Sequence, residues 1–311
     1  VLSSPAFVIQ DEKMRTKTAR DTLTAYLFLL PGLIMLMVWL VYPMFSALNI
    51  SLRDWNIMPG AVSPFIGLKN YLTAFQDDFF WLSLKNTSVY ALVTVVGQLL
   101  FGLLVALMLE KITRGKVFFR TLFYLPVVTS WVVVSLLFKF LFNSSSAGLV
   151  NYFLVDILHV ISQPVSWLTE ANTAFVAIDT LGIWKGVGFS MIIFLAALQT
   201  IPEELYQVAS MDGASEGQIL RYITLPMLVP TIAMVTVMLT IGAFQTYIPV
   251  ALITKGGPLH RTEFVISYMY SLAFNDLKFG YSSAMAYLLA AIVFGISRIQ
   301  MRFTRRDSAV G

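Results

Sequence analysis

The sequence predicts an all-α, polytopic membrane protein with six transmembrane helices. Three observations lead there. Only 12% of the 311 residues are charged, against 58% hydrophobic, and the mean hydropathy is +0.77; a soluble domain carries about 25% charged residues. Five runs of the length that a bilayer demands, about 20 residues, contain no charge, and a sixth is apolar around two ionisable groups. Between two of these runs lies a short polar island, Gln207 to Pro226, with helix-start and helix-stop chemistry.

The runs follow in order. Thr22 to Leu52 forms the first span, Asn86 to Leu109 the second and Thr121 to Phe138 the third. Ala174 to Gln199, with Asp179 and Lys185, forms the fourth. Tyr222 to Thr254 is the fifth and Phe279 to Ser297 the sixth. Proline enters three of them: Pro31 and Pro43 in the first, Pro126 in the third, Pro226, Pro230 and Pro249 in the fifth. Each removes a backbone donor and is expected to kink its helix; two readings stand open, the ordinary abundance of Pro in membrane helices and broken helices around a moving pathway. Asn151 to Ile161, between the third and fourth spans, reads as a short interfacial helix. The first run is too long for a signal-peptide core and has no small-residue cleavage site, so no cleavable signal is expected.

Orientation follows from Lys and Arg at the span ends. Lys13 to Arg20, Lys111 to Arg120, Arg221 and Arg298 to Arg306 contribute thirteen on one side; Arg53, Lys69, Lys85, Lys255, Arg261 and Lys278 make six on the other. Both termini and the polar island are therefore expected in the cytoplasm. The expected organisation is a cytoplasmic segment 1–23, a transmembrane domain 24–301 with an inner loop 200–226, and a cytoplasmic tail 302–311.

Several chemistries are disfavoured. There is no Cys for disulfides or thiolate metal sites, and His159 and His260 fall in expected loops. No catalytic group or metal cluster is expected, and nothing points to nucleic acid. No phosphate-binding G-x-x-x-x-G-K-[ST] loop occurs, so the chain is not expected to bind ATP itself.

The island is organised. Pro202 suits a first helical turn, and Glu203 and Glu204 place negative charge at the positive helix end. Asp212-Gly213 stops that helix through a left-handed residue. Ser215 to Gln218 reads as a capping box opening a second helix. A helix, a sharp turn and a second helix are expected along the membrane surface.

Here the chain resembles the integral-membrane permease subunits of binding-protein-dependent ABC importers. Their coupling loop reads Glu-Ala-Ala, three residues, Gly, nine residues, Ile, one residue, Leu-Pro. The matching positions are Gln207-Val208-Ala209, Gly213, Ile223 and Leu225-Pro226. Gln207 and Val208 depart from the family letters. The family Glu helps anchor the loop in a groove on the ATPase; Gln207 keeps length but loses charge, so docking through shape and helix caps is expected. Phe65 to Tyr71, Phe80-Trp81 and Asn86-Thr87 are similar to the carbohydrate branch. So are Thr254 to Pro258 with Thr262, and Phe279-Gly280-Tyr281 with Ala284. Maltose-type and glycerol-3-phosphate-type subunits are the relatives this resembles.

The resemblance implies a type I importer permease with a second homologous permease subunit, two ATP-binding cassette subunits that hold ATP and Mg, and an extracytoplasmic solute-binding protein. It implies a bacterial inner membrane and no cofactor in this chain. It assigns coupling to Glu203, Glu204, Gln207, Val208, Ala209, Asp212, Gly213 and Ala214. Sugar-lining stretches in relatives fall on Thr129, Ser130 and Trp131 and on Phe244, Gln245, Thr246 and Tyr247. Trp184 and Lys185 join them on residue chemistry, because an ionisable group within a membrane is a functional candidate. For Lys185 two readings stand open: lining the cavity, or pairing with a carboxylate or carbonyl. The expected solute is a sugar, oligosaccharide or sugar-alcohol derivative. Glycerol 3-phosphate or a phosphodiester is the alternative, with a stand-alone secondary transporter or channel behind it.

Overall fold

A computed structural model describes residues 21–307 apart from 23, 59, 146 and 147, with side chains to residue 302. Most of the expected segment 1–23, and the tail from 308, lie outside the described residues. Among the described residues eleven helices carry the fold: α1 Thr24–Ser51, α2 Lys69–Phe75, α3 Asp78–Lys111, α4 Lys116–Val128, α5 Trp131–Leu141 and α6 Leu149–Tyr152. They continue as α7 Ala171–Leu198, α8 Glu203–Met211, α9 Glu216–Phe244, α10 Val265–Phe274 and α11 Phe279–Asp307. The only pairing of strand type among the described residues is an isolated bridge between Arg53 and Phe65.

Five helices, α1, α3, α7, α9 and α11, are each long and apolar enough to cross a bilayer. The sixth span is the pair α4 and α5, bent by 93° at its break. The third run is therefore a broken helix rather than one kinked helix. Pro126 lies inside α4, and Thr129 and Ser130 leave the helical conformation at the break. The fifth span also ends earlier than expected. Helix α9 stops at Phe244, and Pro249 precedes a separate wide turn, Val250–Thr254.

Two other prolines follow wide turns within a helix. The π turns Met37–Val41 and Leu220–Thr224 sit just before Pro43 and Pro226. A proline cannot donate to the carbonyl four residues back, and its ring crowds that carbonyl; widening the turn relieves both. The chain between the third and fourth spans is helical from Leu149 to Tyr152 and continues through a wide turn to Ile157.

The centre of the bundle is the packing of α3 on α7. Small residues allow the close approach, as membrane helices require. A Cβ on Gly102 would lie 2.5 Å from the Ser190 Cβ, and one on Gly188 would lie 2.2 Å from the Phe123 carbonyl oxygen of α4. Two apolar clusters fill the interior. One, towards α8, joins Val105, Leu109, Met191, Phe194, Leu228 and Val235. The other, towards the opposite end, includes Phe80, Tyr90, Phe138, Leu181, Phe244, Phe264 and Met285. Between them α3, α7, α9 and the α4–α5 break surround a cleft.

Candidate functional site

The cleft has a volume of about 330 Å³. Tyr90, Thr94 and Gln98 reach it from α3, and Gly182, Lys185, Gly186 and Phe189 from α7. Gly242, Ala243 and Thr246 close it from the end of α9, and Val127 and Trp131 from the broken span. Its chemistry is aromatic faces interleaved with neutral hydrogen-bonding groups. Gln98 is fixed by donating from Nε2 to the Gly182 carbonyl at 3.1 Å, and the Thr94 hydroxyl donates to the Tyr90 carbonyl at 2.7 Å.

Lys185 is only 4% exposed. Its ammonium donates to the carbonyls of Pro126, Val127 and Thr129 at 2.8, 3.1 and 2.6 Å. It also lies 4.8 Å from the centre of the Trp131 ring. Of the two readings of Lys185, the partner is carbonyl rather than carboxylate, and the side chain also borders the cleft.

The other expected pathway residues divide. Trp131 and Thr246 face the cleft with Lys185. Thr129 contributes its carbonyl to Lys185 and also borders a second, apolar groove between α3, α4 and α7, where Trp184 lies too. The Trp184 ring sits 5.7 Å from that of Phe138. Ser130 is exposed at the bend. Phe244 is 3% exposed within the core, while Gln245 is exposed at the end of α9. Tyr247 stacks obliquely on Tyr270 at 5.0 Å. Sequence reasoning missed Tyr90, Thr94 and Gln98. A signal was present in Gln98, an amide in the middle of an otherwise apolar run.

At the end towards α8 the island has the local chemistry expected, with one correction. Glu203 and Glu204 occupy the first turn of α8, after Pro202 at the cap. Gln207 donates weakly to Glu203 at 3.4 Å, so its amide leans back along the helix. Gly213, at φ +79°, ends the helix, with the Ala214 N–H donating to the Ala209 carbonyl at 3.0 Å. The Ser215–Gln218 capping box is complete. The helix it opens does not lie along the surface: Glu216 begins α9 and runs directly into the fifth span. The capping box thus transmits the loop position straight into a spanning helix. Lys111 at the end of α3 meets Glu216 at 2.6 Å, and Tyr206 meets Thr224 at 3.3 Å, tying the loop to the bundle. Gln207, Val208, Met211, Asp212 and Gly213 stay exposed, while Ala209 and Ala214 are partly covered.

At the other end Asp77 joins three helices. One oxygen caps α3 by accepting from the Phe79 and Phe80 N–H groups at 2.9 and 3.3 Å. The second accepts from the hydroxyls of Tyr268 of α10, at 2.7 Å, and Tyr281 of α11. Burial raises the Asp77 pKa, but the hydrogen bonds from Tyr281, Tyr268, Phe79 and Phe80 together hold it below its usual 3.8.

A spanning bundle with a polar cleft at its centre and a capped, exposed loop leading into one span defines a helical membrane transport component. Residues 98–306 match the family model described as binding-protein-dependent transport system inner membrane component, and the chain belongs to that family. It is 35% identical over 289 residues to the probable ABC transporter permease protein YurN of Bacillus subtilis (strain 168), covering 91% of this chain and 97% of that protein. It is 33% identical over 298 residues to the lactose transport system permease protein LacF of Rhizobium radiobacter, covering 93% and 98%. A crystal structure of a bacterial alginate ABC transporter, in complex with an alginate pentasaccharide-bound periplasmic protein, contains a similar chain. The TM-score is 0.80 with 26% identity, covering 93% of this chain and 96% of that one.

Proposed function

We propose that this permease forms half of the translocation pathway of an ATP-driven importer for a sugar, oligosaccharide or sugar-alcohol derivative. The observation that carries this reading is the lining of the cleft. Trp131 and Phe189 offer aromatic faces, and Gln98 and Thr246 offer neutral donors and acceptors, with the buried Tyr90 and Thr94 behind them. Sugars present apolar C–H faces and rims of hydroxyls, which this combination suits. The lactose and alginate transporters among the similar proteins support the same solute class. Lys185 does not favour a phosphate ester, because an ammonium has three N–H donors and three carbonyls already take them.

The energy reaches the cleft through partners. Two ATP-binding cassette subunits hold ATP and Mg and dock on the exposed face of α8 and Gly213. A second permease subunit completes the pathway, and an extracytoplasmic solute-binding protein delivers the cargo to the end that carries Asp77. Both termini and the α8 loop face the cytoplasm in this reading. Docking uses the shape of the loop and its helix caps, since Gln207 carries no charge.

The test is ATP hydrolysis by the assembled importer in proteoliposomes, stimulated by its binding protein with lactose, an alginate oligosaccharide or glycerol 3-phosphate. Stimulation in a sugar arm is expected. Trp131→Ala should reduce sugar uptake by about tenfold, the equivalent of about 1.4 kcal/mol at the cleft. Stimulation by glycerol 3-phosphate alone would overturn the solute class.

A further inference from the structure

We infer that Lys185 is a positioning residue: its ammonium fastens the bend between α4 and α5 and so sets where Trp131 stands in the cleft. The bend creates the need. A helix that stops within the membrane leaves its last carbonyls without partners, and no water is present in the hydrocarbon core to satisfy them. These carbonyls also form the negative end of the helix dipole, where a cation is stabilising. Lys185 comes from the neighbouring α7 and meets both demands, with Nζ at 2.8, 3.1 and 2.6 Å from the carbonyls of Pro126, Val127 and Thr129.

The geometry extends to the next residues. Trp131 begins α5 immediately after the bend, and its ring centre lies 4.8 Å from the same ammonium. One charge therefore holds the end of α4 through hydrogen bonds and the start of α5 through the ring. A second lysine repeats the device. Lys139, in the last turn of α5, donates to the Leu252 carbonyl at 3.0 Å, within the wide turn Val250–Thr254. Lys185, inside one apolar run, and Lys139, just past the end of another, thus both meet backbone carbonyls at interruptions of regular helix. Glycines beside Lys185 keep the site compact: Gly182 and Gly186 also border the cleft, and a Cβ on Gly186 would collide with the Gln98 amide.

The test needs no solute, so its outcome is independent of the assignment of cargo. The chain holds no Cys, which makes introduced cysteines unique labelling sites. Nitroxides on Ser88→Cys and Ser130→Cys, both exposed, report the distance from α3 to the bend in the full chain in lipid nanodiscs. The exposed pair Ser88→Cys and Ser210→Cys is the reference that avoids the bend. Lys185→Met should roughly double the width of the first distance distribution, because three charge-assisted hydrogen bonds are lost, and should leave the reference pair unchanged. Lys185→Gln, which retains two donors, should fall between. If Lys185→Met does not insert, Lys185→Gln carries the test alone, and selective widening of the first pair supports the inference. An unchanged first distribution, or equal widening of both pairs, would overturn it.

Discussion

Asp77 shows how one side chain can set the packing of several helices. It caps α3 and accepts hydroxyls from α10 and α11, so its removal uncaps one helix and leaves two phenols without their acceptor. Asp77→Ala should lower the thermal midpoint of the purified permease, with the cap alone costing about 1 kcal/mol. The pH dependence has a definite sign. The folded-state pKa is held below 3.8, so the stabilisation is fully present above 3.8 and is lost as pH falls through the folded-state value. The difference in thermal midpoint between Asp77→Ala and the native chain should shrink when the measurement moves from neutral pH to below pH 3.8. A difference that stays constant would remove the carboxylate from this role. Nothing in the sequence separated Asp77 from Asp78 beside it, because its partners Tyr268 and Tyr281 lie 191 and 204 residues further along.

At the scale of elements, spanning helices were legible and their interruptions were not. Uncharged runs mark the spans because a charge in hydrocarbon is expensive, and the described residues hold five helices long and apolar enough to cross, or six spans with the bent α4–α5 pair taken as one. The bend between α4 and α5 was hidden because Pro126 is compatible with either a kink or a break. What stabilises the break is an ammonium reaching carbonyls 56 to 59 residues away, and backbone acceptors leave no side-chain pattern. The polar loop after α8 was readable for the opposite reason: its caps are local, with Ser215 and Gln218 three residues apart. Close packing provides a further test. Gly188→Leu would drive a side chain into the α4 backbone at Phe123, and overpacking costs about 1–3 kcal/mol. The substitution should lower the thermal midpoint, whereas Gly242→Leu, where a Cβ meets nothing within 4 Å, should leave it nearly unchanged. Equal effects would show that the α7–α4 contact is loose.

For the whole molecule, the architecture links two distant features through one helix. The loop that ends α8 opens α9, and α9 ends at Phe244, two residues before Thr246 at the cleft. A push on the loop therefore has a continuous helical path to the groups that line the cleft. Strain at Gly213 should weaken that link without touching the cleft. Its φ of +79° costs a side-chain-bearing residue about 1–2 kcal/mol, and no atom beyond its neighbours lies within 4 Å of an added Cβ. Gly213→Val should reduce stimulated ATP hydrolysis in the assembled importer while leaving insertion intact; full stimulation would show that the left-handed turn is dispensable. Side-chain identity at the cleft was only partly legible, since Trp131 and Thr246 face it while Phe244 and Trp184 pack elsewhere. Helical phase near a break decides that, and sequence alone does not place the break. The most direct measurement is co-purification of the ATP-binding cassette subunit with the native permease and with Gly213→Glu, both inserted to the same level. The native chain should retain the ATPase and the variant should lose most of it; equal retention by the two would contradict the loop as the site where force enters.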